Sequence, residues 1–339
     1  MQEKKTQFRI ALVGGGTGTS RILTGLKDLP ARVSVLVTTA DSGGSSGRLR
    51  KDFNMVPPGD ARQCLGALIG NETWQKYFHA RFATGKLKGH NIGNLLLALL
   101  HEKNGDIQSA LDEALNLFDV QDHEIVPVTI KPTSLVAFLK NGKRLRGEDS
   151  ITSSDIIRAD LESLSLLPIN VSANPRAVSA LMNADAIVVG PGNLFSSIIP
   201  NFLVPQIKEA FINSSAKKFF VANLMTQSGH TDGFTPGDYA KVVEQYTKEN
   251  IFDYVLCNSR FIPRKFWNKQ GMGEAVHAPL EAMPITGRAG RVEKNKLRFI
   301  SGDFVDFTVV KQDPSDPLTR TSVRHNGAAI ARTILQCLQ

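Results

Sequence analysis

A chain of 339 residues, 42% apolar and 21% charged, has material for a large core, which excludes a disordered protein. No apolar run reaches the roughly eighteen residues of a membrane span, and MQEKKTQFRI lacks an apolar signal segment, so the sequence predicts a cytoplasmic chain. The net charge of +8 is scattered, without stacking aromatics or a helix-turn-helix pattern, and three distant cysteines and seven unclustered histidines predict no disulfide framework, structural zinc or nucleic-acid partner.

The first predicted strand runs through FRIALV and breaks at Gly14. Gly14, Gly15, Gly16, Thr17 and Gly18 then form a glycine-rich turn ahead of a helix expected near Thr19. Glycines let backbone N–H groups approach an anion, and the helix dipole favours negative charge, so a nucleotide-type ligand is expected here. The G-x-G-x-x-G fingerprint fails because Thr19 stands where its last glycine belongs, and the phosphate-loop lysine is missing. A tight strand-to-helix connection with no ligand remains the plain alternative.

A second strand, Val33 to Ala40, ends at Asp41, the place of a ribose or metal-phosphate contact in a dinucleotide fold. The polar run that follows supplies Gly43, Gly44, Ser45, Ser46 and Arg48 as ligand candidates, or else a surface turn. A helical segment spans 57–120, with Asp60 in PPGDAR and Asp106 as an expected cap. Inside it GHNIGN opens a strongly apolar helix. His90 suits either a structural or a proton-transfer role, and Asn91 and Asn94 either caps or ligand contacts.

Residues 125–150, with the Asn141-Gly142 turn, predict a small antiparallel β-hairpin insertion. A helix opened by Asn174-Pro175 follows, and strand–loop–helix logic then returns twice. Ala186 to Val189 leads to Gly190, Gly192, Asn193, Ser196 and Ser197, and KFFVANL leads to Asn223, Met225 and Thr226 ahead of a helix capped by Thr235. FDYVLCNS is a further strand, and an amphipathic helix follows His325. All these polar loops sit at the carboxyl ends of apolar strands, where open parallel sheets bind ligands. The fold class is α/β with a mostly parallel sheet.

Six ordered motifs, GGGTG, DSGGSSGRLR, PPGDAR, GHNIGNLLL, GPGNLFSSIIPNFLV and NLMTQSGHTDGFT, resemble the CofD/YvcK family over nearly the whole chain. The resemblance is to the YvcK branch, often called gluconeogenesis factor. It implies one Rossmann-like three-layer α/β/α domain over 1–339. It also implies a regulator that binds UDP-sugars, UDP-N-acetylglucosamine in particular, and acts in bacterial cell shape and wall homeostasis during gluconeogenic growth. Carried over by motif, the diphosphate lies against Gly14 to Gly18 and Gly190 to Ser197, with Asn223, Met225 and Thr226 flanking the rest of the nucleotide.

The CofD branch implies instead a magnesium-assisted transferase that moves a phospholactyl group from a nucleotide-activated donor to a deazaflavin. In that reading Asp41 holds the metal, and Asp60 or His90 takes the acceptor's proton. Relatives commonly carry two consecutive aspartates where this chain has Asp41-Ser42, which weakens a Mg²⁺ site. No cofactor is therefore required, and Mg²⁺ enters only with the diphosphate. An NAD-dependent oxidoreductase follows from the first loop alone. Cell-wall or signalling proteins are the expected partners, and a homodimer is the default assembly.

Overall fold

The computed structural model describes residues 8–40, 44–155, 157–264, 272–276, 283–284, 297–307 and 323–339. Strand β1 (Phe8–Gly14) leads through helix α1 (Gly16–Leu26) to β2 (Ala31–Val37). Helices α2 (Gly44–Asp52), α3 (Gly59–Leu68), α4 (Glu72–His79), α5 (Ile92–Asn104) and α6 (Ile107–Leu117) precede β3 (His123–Pro127). The middle of the chain holds β4 (Ser134–Leu139), β5 (Arg144–Arg146), α7 (Glu148–Thr152), α8 (Ile157–Asp160) and β6 (Leu161–Leu167). Next come α9 (Pro175–Met182), β7 (Ala186–Val189), a π-helical turn (Leu194–Ile198), α10 (Ile199–Phe202) and α11 (Pro205–Asn213). Strands β8 (Lys217–Val221) and β9 (Met225–Gln227), α12 (Pro236–Tyr246) and β10 (Tyr254–Asn258) follow. The last elements are β11 (Met272–Ala275), β12 (Met283–Pro284), β13 (Arg298–Gly302), β14 (Val305–Asp306), β15 (Arg324–His325) and α13 (Gly327–Leu338).

The main sheet has eight strands in the order β12-β13-β10-β8-β7-β1-β2-β3. Every pairing in it is parallel, and β12 adds only two residues to the seven that carry it. Both faces are covered, so its strands read as continuous apolar runs rather than alternating ones. Side-chain alternation divides them: Ile10, Leu12, Val35, Val188 and Leu256 point into one core with α1, α3, α5, α6 and α13. Ala11, Val13, Leu36, Val189 and Val255 point into the other, with the small antiparallel sheet, α9, α11 and α12. Each fully buried Leu, Ile or Val contributes about 2 kcal/mol. The result is the expected three-layer, Rossmann-like α/β architecture.

The expected caps hold their helices. Asp106 accepts from Gln108 N and Ser109 N, Asn174 accepts from Arg176 N, and Thr235 forms a reciprocal capping box with Asp238. Two boundaries differ from the sequence reading. Helix α1 begins at Gly16 rather than near Thr19, so Gly16 and Gly18 belong to its first turn. The segment from residue 125 is not the arm of a hairpin, because β3 joins the main sheet beside β2. The antiparallel unit lies later and has three strands, β5-β4-β6, with the Asn141-Gly142 turn joining β4 to β5. Pairing partners distant in sequence decide both memberships, and local pattern carries no trace of them.

Candidate functional site

Strands β1, β2 and β3 step toward one edge of the sheet and β7, β8, β10 and β13 toward the other, so the order reverses between β1 and β7. That reversal opens a crevice at the carboxyl ends of the strands. The two loops flanking it touch. A Cβ on Gly18 would overlap the Pro191 carbonyl, and one on Gly192 would lie 3.7 Å from Gly15 O. The next loop locks on: Asn223 Nδ2 donates to Gly192 O at 3.0 Å, and Gly192 N donates to Asn223 Oδ1 at 3.3 Å. On the other side Thr38 N, just past β2, donates to Gly14 O at 3.3 Å. Gly14 to Gly18, Gly190, Gly192, Asn193 and Asn223 therefore form one continuous stretch of rim.

Helix α3 stands over this stretch. A Cβ on Gly15 would overlap the Asp60 carboxylate, and Thr17 Oγ1 donates to Gln63 Oε1 at 2.7 Å. Helix α1 has no acidic residue in its own first turn and no side-chain cap, whereas Asp60 lies in the first turn of α3. One carboxylate thus serves the positive ends of two helices, an effect worth roughly 0.3–1 kcal/mol at each. Gly16 takes the left-handed φ of +66° here, 3.2 Å from Asp60 Oδ1 measured at its Cβ position. Burial, with Asp60 and its negative charge nearby, drives the Cys64 thiol far above its ordinary range, so Cys64 is an inert packing group.

The β7 loop is also tied to the antiparallel unit. Asn193 Oδ1 caps the π-helical turn by accepting from Phe195 N and Ser196 N at 3.1 and 3.0 Å. Its Nδ2 donates to Gln227 Oε1 at 2.7 Å, and Gln227 Nε2 reaches Thr152 O at 3.4 Å. Ser196 is buried and donates to Glu148 Oε1 at 3.3 Å, while Ser197 is half-buried beside Gly192. Met225 and Thr226 are buried, Met225 in a small apolar cluster with Leu224, Ile262 and Val305.

A second group gathers where α2 meets α5. Asn94 Nδ2 lies 3.5 Å from Ser46 Oγ, and Arg48 donates to Lys88 O at 3.2 Å. Asn91 is engaged at both ends of its amide, accepting from Asn94 N and donating to His79 O. His90 is 8% exposed, and its Nδ1 has no hydrogen-bond partner among the described residues. Burial, helped by the Arg48 and Arg81 charges and opposed by Asp52, holds its pKa below the ordinary histidine value. At neutral pH it is an uncharged base. Asp41 and Gly43 lie outside the described residues, and Gly44 and Ser45 are described only as the start of α2.

Further along the rim, past the ends of β10 and β13, is a cavity of about 410 Å³ lined by Arg260, Val305, Asp306, Phe307 and Asn326. Arg260 stacks 5.0 Å over the Phe307 ring and pairs with Asp303 at 3.2 Å. Asn326 caps α13 by accepting from Ala329 N.

A family model described as 2-phospho-L-lactate transferase CofD matches residues 10–305. The chain belongs to the CofD family. Among its relatives is the gluconeogenesis factor of Halalkalibacterium halodurans, 34% identical over 330 residues that cover 96% of this chain and 95% of that one. A Nostoc relative is 39% identical over 255 residues, 74% of this chain but only 55% of its own length. The crystal structure of a UPF0052 family member from Bacillus halodurans is similar with a TM-score of 0.81 and 31% identity, covering 96% of this chain and 98% of that one.

Several rim residues of this CofD-family chain escaped sequence reasoning. Gln63 stands one turn after Asp60 and was within reach of the PPGDAR signal. Glu148 and Gln227 act through partners 48 and 34 residues away in sequence, Ser196 and Asn193, and no local pattern marks them. The Arg260–Phe307–Asn326 cavity is assembled from three separate segments, which a motif search does not join.

Proposed function

We propose that this chain binds a nucleoside-diphosphate sugar of the UDP-N-acetylglucosamine kind at the carboxyl rim. It would act as a cytoplasmic regulator of bacterial cell shape and wall homeostasis under gluconeogenic growth. The observation that carries the reading is the contact of the Gly14–Gly18 and Gly190–Asn193 turns at the sheet's reversal point, with Asn223 clamped on the second. Two adjoining turns suit two adjoining phosphates, and the α1 dipole favours their charge. The cavity at Arg260 and Phe307 offers an aromatic face and polar groups on the same rim for the rest of such a ligand.

Asp60 sets a condition on this reading. A diphosphate at Gly15 and Gly16 meets a carboxylate already there, and two anions at that distance repel. Mg²⁺ relieves the conflict, since it takes one or two carboxylates together with phosphate oxygens and water. Asp60 is the described residue that would hold the ion, with Asp41 as the second candidate. Calorimetry with UDP-N-acetylglucosamine should give binding heat that rises with Mg²⁺, and Asn223→Ala and Asp41→Ala should each weaken binding about tenfold or more. Absence of heat in the wild type, or unchanged affinity in both variants, overturns the proposal.

The transferase reading keeps one observation on its side, the uncharged and unpartnered His90 Nδ1 beside α2. It requires metal-dependent release of a nucleoside monophosphate when an acceptor is supplied, with His90→Gln slower by about 100-fold. A broad acceptor screen without nucleotide product removes it.

A further inference from the structure

Helix α5 is apolar on both sides. Leu97, Ala98 and Leu100 pack inward, while Ile92 and Leu99, seven residues apart and so on one face, are exposed, with Leu96 between them partly covered by the core. Large apolar side chains on a helix are normally covered, and Ile92 and Leu99 of α5 are not. Trp74 and Tyr77 on α4, which packs beside α5, are 57% and 54% exposed, and Phe82 and Leu87 extend the same surface between the two helices. Six of the twelve large apolar side chains most open to solvent among the described residues fall between Trp74 and Leu99. They lie on one pair of packed helices and the turn between them, and exposed apolar side chains gathered in this way mark an interaction surface.

Cations surround it. Lys76, Lys86, Lys88 and Lys103 are all exposed, and none is in an ion pair among the described residues. Between residues 72 and 104 there are five Lys and Arg against two acidic residues, Glu72 and Glu102. A second copy of this chain placed face to face would bring like charge against like. A protein partner fits poorly too, because lysine is depleted from protein interfaces. Interfacial tryptophan and tyrosine, exposed leucine and unpaired lysines are what an anionic lipid surface selects.

We infer that the α4–α5 face docks on an anionic phospholipid bilayer surface, with Trp74, Tyr77 and Leu99 entering the headgroup boundary and the four lysines contacting lipid phosphates. The inference is independent of the ligand proposed for the rim.

The test is co-sedimentation of the full chain with vesicles of phosphatidylglycerol and phosphatidylcholine in equal parts, against phosphatidylcholine alone. The chain should sediment with the anionic vesicles only and be released by high salt. Each lysine contributes about fivefold, so Lys86→Glu/Lys88→Glu should weaken partitioning about 25-fold or more. Trp74→Ser/Leu99→Ser should also weaken it, and circular dichroism should show both variants folded, because all four side chains are exposed. Trp267→Phe leaves Trp74 as the sole tryptophan, and its emission should shift to the blue on anionic vesicles. Equal binding to neutral vesicles, no binding to anionic ones, or undiminished binding by both variants overturns the inference. So does a wild-type dimer that Trp74→Ser/Leu99→Ser splits, since a second copy would then cover this face.

Discussion

Gly15 shows how a single missing Cβ organises the rim. The four glycines were read as room for an anion, yet the structure fills the space at three of them with protein: the Thr19 hydroxyl at Gly14, the Asp60 carboxylate at Gly15 and the Pro191 carbonyl at Gly18. Gly15→Ala should therefore destabilise the fold by about 1–3 kcal/mol in urea unfolding, the usual cost of overpacking. Part of that cost belongs to Asp60, so Gly15→Ala/Asp60→Ala should be less destabilised than the sum of the single changes. Strict additivity would show that the carboxylate does not press on the loop. A second residue-scale expectation concerns acid. His325 donates from Nε2 to Ala222 O, and burial holds its pKa down to about 4 from 6.5. The unfolded chain then binds the proton more readily, so this contribution is complete above pH 6.5 and lost as pH falls toward 4. His325 keeps some surface, so about 3 kcal/mol is the upper end of the effect. The pH slope of stability in that window should flatten in His325→Gln, which can still donate to the carbonyl.

Elements made by neighbours in sequence were legible; elements made by distant partners were not. Asp106, Asn174 and Thr235 announce their helices because a cap and the amides it serves lie within three residues. The polar loops of the rim were legible in the same way, since each strand carries its loop beside it, whereas the reversal of strand order between β1 and β7 rests on pairing across the fold. The assignment of β3 and the third strand β6 depended on pairing across the fold, as did the grip of Glu148 on Ser196. Asn193 was identified as a loop residue, but its double work was hidden: it caps the π-helical turn and joins the β7 loop to Gln227. Asn193→Ala removes a cap and a side-chain bond, a loss of about 1–2 kcal/mol. Amide exchange should accelerate at Phe195 and Ser196 while α13 keeps its protection. Equal acceleration in both places would mean that the loop opens only with the whole domain.

At the scale of the molecule, the first and last helices are packed together. A Cβ on Gly327 would overlap the Arg21 carbonyl, and one on Gly25 would overlap the Gly327 carbonyl, so α13 crosses α1 at near backbone contact. Ile330, Ile334 and Leu335 of α13 complete the same core as Ile22 and Leu26 of α1. Gly327→Val should thus lower stability by about 2 kcal/mol or more in denaturant, although it is far from the sheet's crevice. Gly105→Ala is the contrast: its φ of +83° strains a side chain, but a Cβ there meets open space, so the loss should stay near 1 kcal/mol.

That crossing also has a consequence for biosynthesis. The helix that begins beneath the glycine turn leaves the ribosome long before the helix that roofs it. During translation its apolar flank waits bare while some three hundred residues emerge. Arrest before Gly327 therefore leaves a product with α1 uncovered, its apolar flank open to association with other chains.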